Sequence, residues 1–118
     1  MSSSISGSDN FTTSMPFVKA YVTFNGSDGS ILGSYNVTSV TKTSSSDYTI
    51  NFTNALPNAN YAVSGISSNL LSGASTAATS VFVDKTYKTT TTCRFRVKNS
   101  SDAFITSDRD SYDFIFFG

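Results

Sequence analysis

The residues that could do chemistry are few, and they cluster late in the chain. In "TTTTCRFRVK", residues 89–98, Arg94, Arg96 and Lys98 fall at every second position. Successive side chains of an extended strand point to opposite faces. The three cations therefore share one face, and Cys93, Phe95 and Val97 share the other. A row of cations with Tyr87 nearby could grip acidic groups on a polysaccharide, guanidiniums meeting carboxylates and the ring stacking on sugar. The row also has an ordinary use, cross-strand pairing with Asp113 or Asp84, in which each exposed pair contributes about 0–1 kcal/mol. Tyr21, Tyr35, Tyr61 and Tyr112 are further candidate stacking platforms, although Tyr at strand positions more often fills a core or an interface.

"DRDSYD" sets Asp108, Asp110 and Asp113 at intervals that suit a hard, oxygen-loving ion. Calcium, however, takes about six to eight oxygen ligands from a shaped loop. No glycine or further carboxylate completes such a loop here, so an Asp-rich turn is expected, with no metal and no cofactor. The chain holds no His, Glu, Gln or Trp, and its one cysteine, Cys93, has no partner for an internal disulfide. Without His there is no imidazole to activate the thiol or act as a general base. Cys93 at an apolar strand position reads as a small buried hydrophobe. Paired aspartates can hydrolyse glycosides, which leaves a glycan-cleaving role as a distant alternative; no enzyme is expected.

The elements that position these groups are strands. Ser and Thr together number 39 of 118 residues. The absence of Glu and Gln removes good helix formers and leaves Thr, Val, Phe and Tyr, which favour strands. Residues 1–16 are polar, Ser-rich and without periodicity, and read as an arm ahead of a single knob over 17–118. Within the knob "FVKAYVTF" puts Val18, Ala20, Val22 and Phe24 on one face, and "YTINFT" does the same for Tyr48, Ile50 and Phe52. Gly26 and Gly29 in "NGSDGS" suit positive-φ turn positions. "SYNVTSVT" reads as one strand, 66–80 and 99–110 as variable loops, and "AFI" as a short apolar island in the second of them. Seven or eight short strands with closely spaced turns give an all-β fold, a small antiparallel β-sandwich or jelly-roll-like knob.

Eight basic residues balance eight acidic ones, all of them Asp. A chain without net positive charge lacks the pull that phosphate backbones demand, so nucleic acid is not an expected partner. The first residues have neither a basic segment nor an apolar one, so no secretion signal is expected. No apolar run approaches the length of a membrane span. The closing "YDFIFF" is apolar on both faces apart from Asp113, as in a central strand or one covered by a neighbouring subunit.

The order of these segments carries a resemblance. "KAYVTFNGSDGSILGSYNVTSV", then "DYTINFTNALPNANYAVSG", then "SYDFIFFG" resembles the β-module at the C-terminal ends of bacteriophage tail fibres, over about residues 18–118. The hairpin from Asp47 to Tyr61 is the most specific part, and Tyr21 stands where the family usually has Trp. The resemblance implies a homotrimeric virion appendage whose tip contacts the host surface; host surface glycans are a candidate partner, and the chain is expected to be made in the host bacterial cytoplasm. Tyr21, Phe114, Ile115, Phe116 and Phe117 are the expected oligomer interface, since surplus apolar strand surface usually marks one. Ile5, Phe11, Met15 and Pro16 in the arm are the expected anchor to other virion proteins. An arm in place of a long shaft keeps a capsid decoration (cement) protein as the alternative.

Overall fold

The computed structural model describes residues 17–68, 79–99, 101, 103–105 and 108–118. The arm, with Ile5, Phe11, Met15 and Pro16, lies outside the described residues, as does most of the expected 66–80 loop. Eight strands follow in order: β1 (Val18–Asn25), β2 (Ile31–Tyr35), β3 (Val37–Ser44), β4 (Asp47–Phe52), β5 (Ala62–Ser68), β6 (Thr79–Lys88), β7 (Thr92–Asn99) and β8 (Ser111–Phe117). They form two four-stranded sheets. Sheet A has the order β2-β1-β8-β5 and sheet B the order β3-β4-β7-β6, with every pairing antiparallel. The all-β sandwich expected from composition and alternation is the architecture.

The core follows the two-residue period. Ala20, Val22 and Phe24 of β1, Tyr48, Ile50 and Phe52 of β4, Cys93, Phe95 and Val97 of β7, and Tyr112, Phe114 and Phe116 of β8 are all buried between the sheets. Burying each large apolar side chain stabilises by roughly 1.5–3 kcal/mol. The rings of Phe24, Tyr48, Phe95, Tyr112 and Phe114 form one cluster, tightest at 4.1 Å between the Phe95 and Phe114 centroids. Phe52, Tyr61 and Phe116 form a second, meeting edge to face at 5.0–5.9 Å.

The hydrophobicity of β8 has a plain cause. It is a central strand, paired with β1 on one side and β5 on the other. That corrects part of the expected interface. Phe114 and Phe116, 1% and 0% exposed, fill the protein's own core. Tyr21, Ile115 and Phe117 lie on the opposite face of the same sheet and remain 36–40% exposed. A strand cannot offer both of its faces to one neighbour, and alternation divides the five residues accordingly.

The expected single strand over "SYNVTSVT" is two. Asn36 has φ 58°, a left-handed conformation that Asn tolerates better than most residues. There the chain leaves sheet A and enters sheet B. The Asn36 amide nitrogen donates to the Lys19 and Asn54 carbonyls, and its oxygen accepts the Asn54 N–H. One side chain thus ties the crossover to β1 and to the segment after β4. In the β1–β2 turn, Gly29 has φ 79°, as expected. Gly26 is needed for a different reason: a Cβ there would stand 1.9 Å from the Arg109 carbonyl oxygen.

Candidate functional site

The row of cations lies on the outer face of β7, as its alternation dictates. Register places Arg96 between Asp47 of β4 and Phe82 of β6, and Arg94 beside Thr49. Arg94 donates through Nε and Nη2 to the two carboxylate oxygens of Asp47, at 2.9 and 2.8 Å. Asp47 is buried, its side chain only 4% exposed, so this fork holds a carboxylate that water hardly reaches. The hydrogen bond from Arg94 is the main reason its pKa lies below the ordinary 3.8; burial opposes the shift, and the charges of Arg94 and Arg96 reinforce it. The partner expected from sequence was Asp113 or Asp84. Asp113 instead belongs to the other sheet and accepts the Thr23 hydroxyl at 2.6 Å, and Asp84 accepts the Thr86 N–H within β6.

Arg96 is held differently. Its Nε comes only to 3.6 Å from Asp47 and is buried without a hydrogen-bond acceptor. Its guanidinium lies instead over the Phe104 ring, 3.6 Å from the centroid. Arg94 sits over Tyr87 at 5.2 Å, and the Lys98 ammonium stands 5.1 Å from Phe82 and 5.0 Å from Phe104. Such cation–ring contacts contribute about 0.5–1 kcal/mol each at exposed sites. Phe82, Tyr87 and Phe104 remain 45–50% exposed. Phe82 and Phe104, together with the three cations, Val83 and Asp84, surround a hollow of ≈ 290 Å³ on the outer face of sheet B.

Phe104 and Phe82 were not singled out in the sequence. Phe104 comes from the "AFI" island: it bridges Lys98, while the Ile105 N–H donates to the Val97 carbonyl. The island extends sheet B where β4 has ended. Of the Tyr platforms, Tyr21, Tyr35 and Tyr87 are exposed, whereas Tyr61 and Tyr112 are core residues, 2% and 0% exposed. The alternation that buries Tyr112 beside Phe114, and the packing of Tyr61 on Phe116, remove both from any surface.

The three aspartates of "DRDSYD" do not converge. Asp108 accepts from the Lys42 ammonium, the Ser46 N–H and the Tyr48 hydroxyl. Tyr48 divides its single proton between Asp108 and the Gly26 carbonyl. Burial would raise the pKa of Asp108, but these donors, Lys42 foremost, hold it below 3.8. The knot fastens the β1–β2, β3–β4 and β7–β8 connections at one end of the sandwich. Among the described residues no group of three His, Cys, Asp or Glu side chains is placed to hold a metal ion. Cys93 is fully buried, and burial pushes its thiol up to about 11, which keeps it protonated and unreactive at neutral pH.

The outer face of sheet A is of another kind. Across its four strands runs the row Tyr35, Tyr21, Ile115, Ser64, flanked by Phe117 beside Ala62 and by Asp113 beside Ile66. Ile66 is 60% exposed. The four strands hold only two charged residues, Lys19 and Asp113, and the outermost strands β2 and β5 hold none. Natural sheets usually guard such edges with charge, proline or a bulge; here β2 has a register shift at Leu32, between the Thr23–Gly33 and Phe24–Ile31 pairs, and neither edge strand has a charge or a proline.

Compared with known proteins, the chain matches no family model, no curated protein and no solved structure.

Proposed function

We propose that the chain is a non-enzymatic virion structural protein, the tip of a short tail fibre or appendage, which acts through surfaces shared with its copies and with the host cell. The observation that carries this reading is the outer face of sheet A, where Tyr35, Tyr21, Ile115, Phe117 and Ile66 are exposed between uncharged edge strands. A free monomer seldom leaves so much contiguous apolar surface in water. A closed ring of identical copies removes it without open ends, and the resemblance to tail-fibre tips makes three the expected number. Tyr21, Ile115 and Phe117 are then the core of the contact. The chain's lack of His and Glu and the inert Cys93 support a role without catalysis. Residues 1–16 supply the link to other virion proteins, and sheet B with its neighbouring loops faces outward.

The test is mass in solution. Light scattering on the purified chain should give three times its 12.6 kDa, and Ile115→Lys should give one chain's mass with an unchanged β-sheet circular dichroism spectrum. A wild-type chain that is monomeric at micromolar concentration overturns the assembly. Immunogold labelling then tests position: tail labelling supports the appendage, and label spread over the head supports a decoration protein in its place.

A further inference from the structure

The hollow on sheet B is a poor candidate for mere surface. Three cations line it, and the two arginines differ: Arg94 takes both oxygens of Asp47, whereas Arg96 comes no closer to that carboxylate than 3.6 Å. Arg96 is positioned by a ring rather than by an acceptor, and about a third of its side chain, 34%, stays exposed. Around it, half of the surface of Phe82 and Phe104 is left open to water. A guanidinium already stacked and desolvated on one side loses little freedom when a carboxylate approaches. Half-exposed rings beside it gain by being covered with the C–H face of a sugar.

We propose that this hollow binds an acidic sugar, a pyranose carrying a carboxylate of the uronic-acid type. The carboxylate meets Arg96, and the ring lies against the open flanks of Phe82 and Phe104. The ≈ 290 Å³ of the hollow lies just below the range of ligand clefts, roughly 300–1,000 Å³, which fits one sugar unit of a chain rather than a long segment. Asp84, also on its wall, repels a second carboxylate and offers an acceptor to sugar hydroxyls. A bare phosphate would leave the rings uncovered, and so would a flexible acidic peptide. The inference rests on the surface-contact reading above only for where such a sugar is met, on a host envelope.

Calorimetric titration of the full chain decides it, with a galacturonic acid tetramer as the acidic probe and maltotetraose as its neutral counterpart. Inorganic phosphate and a tetra-aspartate peptide complete the set. The expected result is salt-sensitive binding of the acidic tetramer, with maltotetraose at least tenfold weaker and both phosphate and peptide weaker still. Arg96→Gln should lower affinity for the acidic tetramer at least tenfold. Phe82→Ala, at a half-exposed position outside the buried core, should lower it several-fold and serves alone if Arg96→Gln does not fold. No binding of the acidic tetramer overturns the site, as does equal binding by phosphate or by the peptide, or full affinity in the variants. A trimer that ignores the sugar removes this site and leaves the assembly standing; a monomer that binds it does the reverse.

Discussion

The two sheets are alike on the inside and opposed on the outside. The central strands of each, β1 and β8 in sheet A and β4 and β7 in sheet B, turn every second side chain inward, and the two sets of rings interlock. Outside, the strands of sheet A carry Lys19 and Asp113 alone, whereas those of sheet B carry eight charged residues. Sheet B satisfies much of its charge within the chain, through the fork on Asp47 and the cation–ring contacts around it. Sheet A leaves Tyr21, Ile115 and Phe117 with nothing charged to hold and with water over about two-fifths of their surface. The inner faces therefore encode folding, while the outer faces differ in what they could meet: in the reading proposed above, other copies on one side and a polar partner on the other.

The sharpest way to break this contrast is to strand the buried acid of sheet B. Arg94→Met keeps the side chain's bulk but leaves Asp47 almost out of water with only the distant Arg96. Removing one partner of a buried pair destabilises by about 3–5 kcal/mol, and a loss near the lower end is expected here because Arg96 remains. Urea denaturation measures it. A loss under about 1 kcal/mol would make the fork an ordinary surface pair, and sheet B's outer face no more self-sufficient than sheet A's.

Acid should act on the same features. Asp47 and Asp108 both have native pKa values below the ordinary 3.8. A depressed native carboxylate contributes stability that is fully present above its unfolded pKa and is lost as pH falls through the native value. Stability should therefore be level from neutrality down to about pH 5 and fall steeply below 3.8. Asp108→Asn should flatten part of that fall and lower stability at pH 7, since the Lys42 ammonium loses its counter-charge. An equally steep acid fall in Asp108→Asn and in Asp47→Asn would place its origin elsewhere.

Much of this was legible in the sequence, and what escaped it did so for geometric reasons. The inner residues of β1, β4, β7 and β8 follow from alternation, a local property. The division of Phe114 and Phe116 from Ile115 and Phe117 was equally local, and treating the run as one interface overrode it. The break at Asn36 was hidden because Tyr35 and Val37 continue an acceptable strand pattern; only the positive φ redirects the chain, and Asn allows many conformations besides. The partner of Arg94 could not be read, since Asp47 is brought there by the β4–β7 register across 47 residues. Phe104 left a faint signal, an apolar island in a polar stretch, but its place over Arg96 depends on "AFI" docking beside β7 after β4 has ended.

A smaller effect should come from making sheet A's outer face resemble sheet B's. Ile115 is 40% exposed, so Ile115→Lys should cost the isolated chain no more than about 0.5 kcal/mol, the usual range for surface changes. Assembly should nevertheless be abolished, because three ammoniums would be brought together in an apolar contact. Thermal melts at several protein concentrations separate these terms. The wild type should melt higher as concentration rises, by mass action on the assembly, and the variant should melt at one temperature throughout. Thr23→Val removes the hydrogen bond to Asp113 on this face and should lower stability by only about 1 kcal/mol, without loss of the concentration dependence. If Thr23→Val proved as damaging as Arg94→Met, sheet A too would depend on its outer polar contacts, and the division between a face made for copies and a face made for a partner would fail.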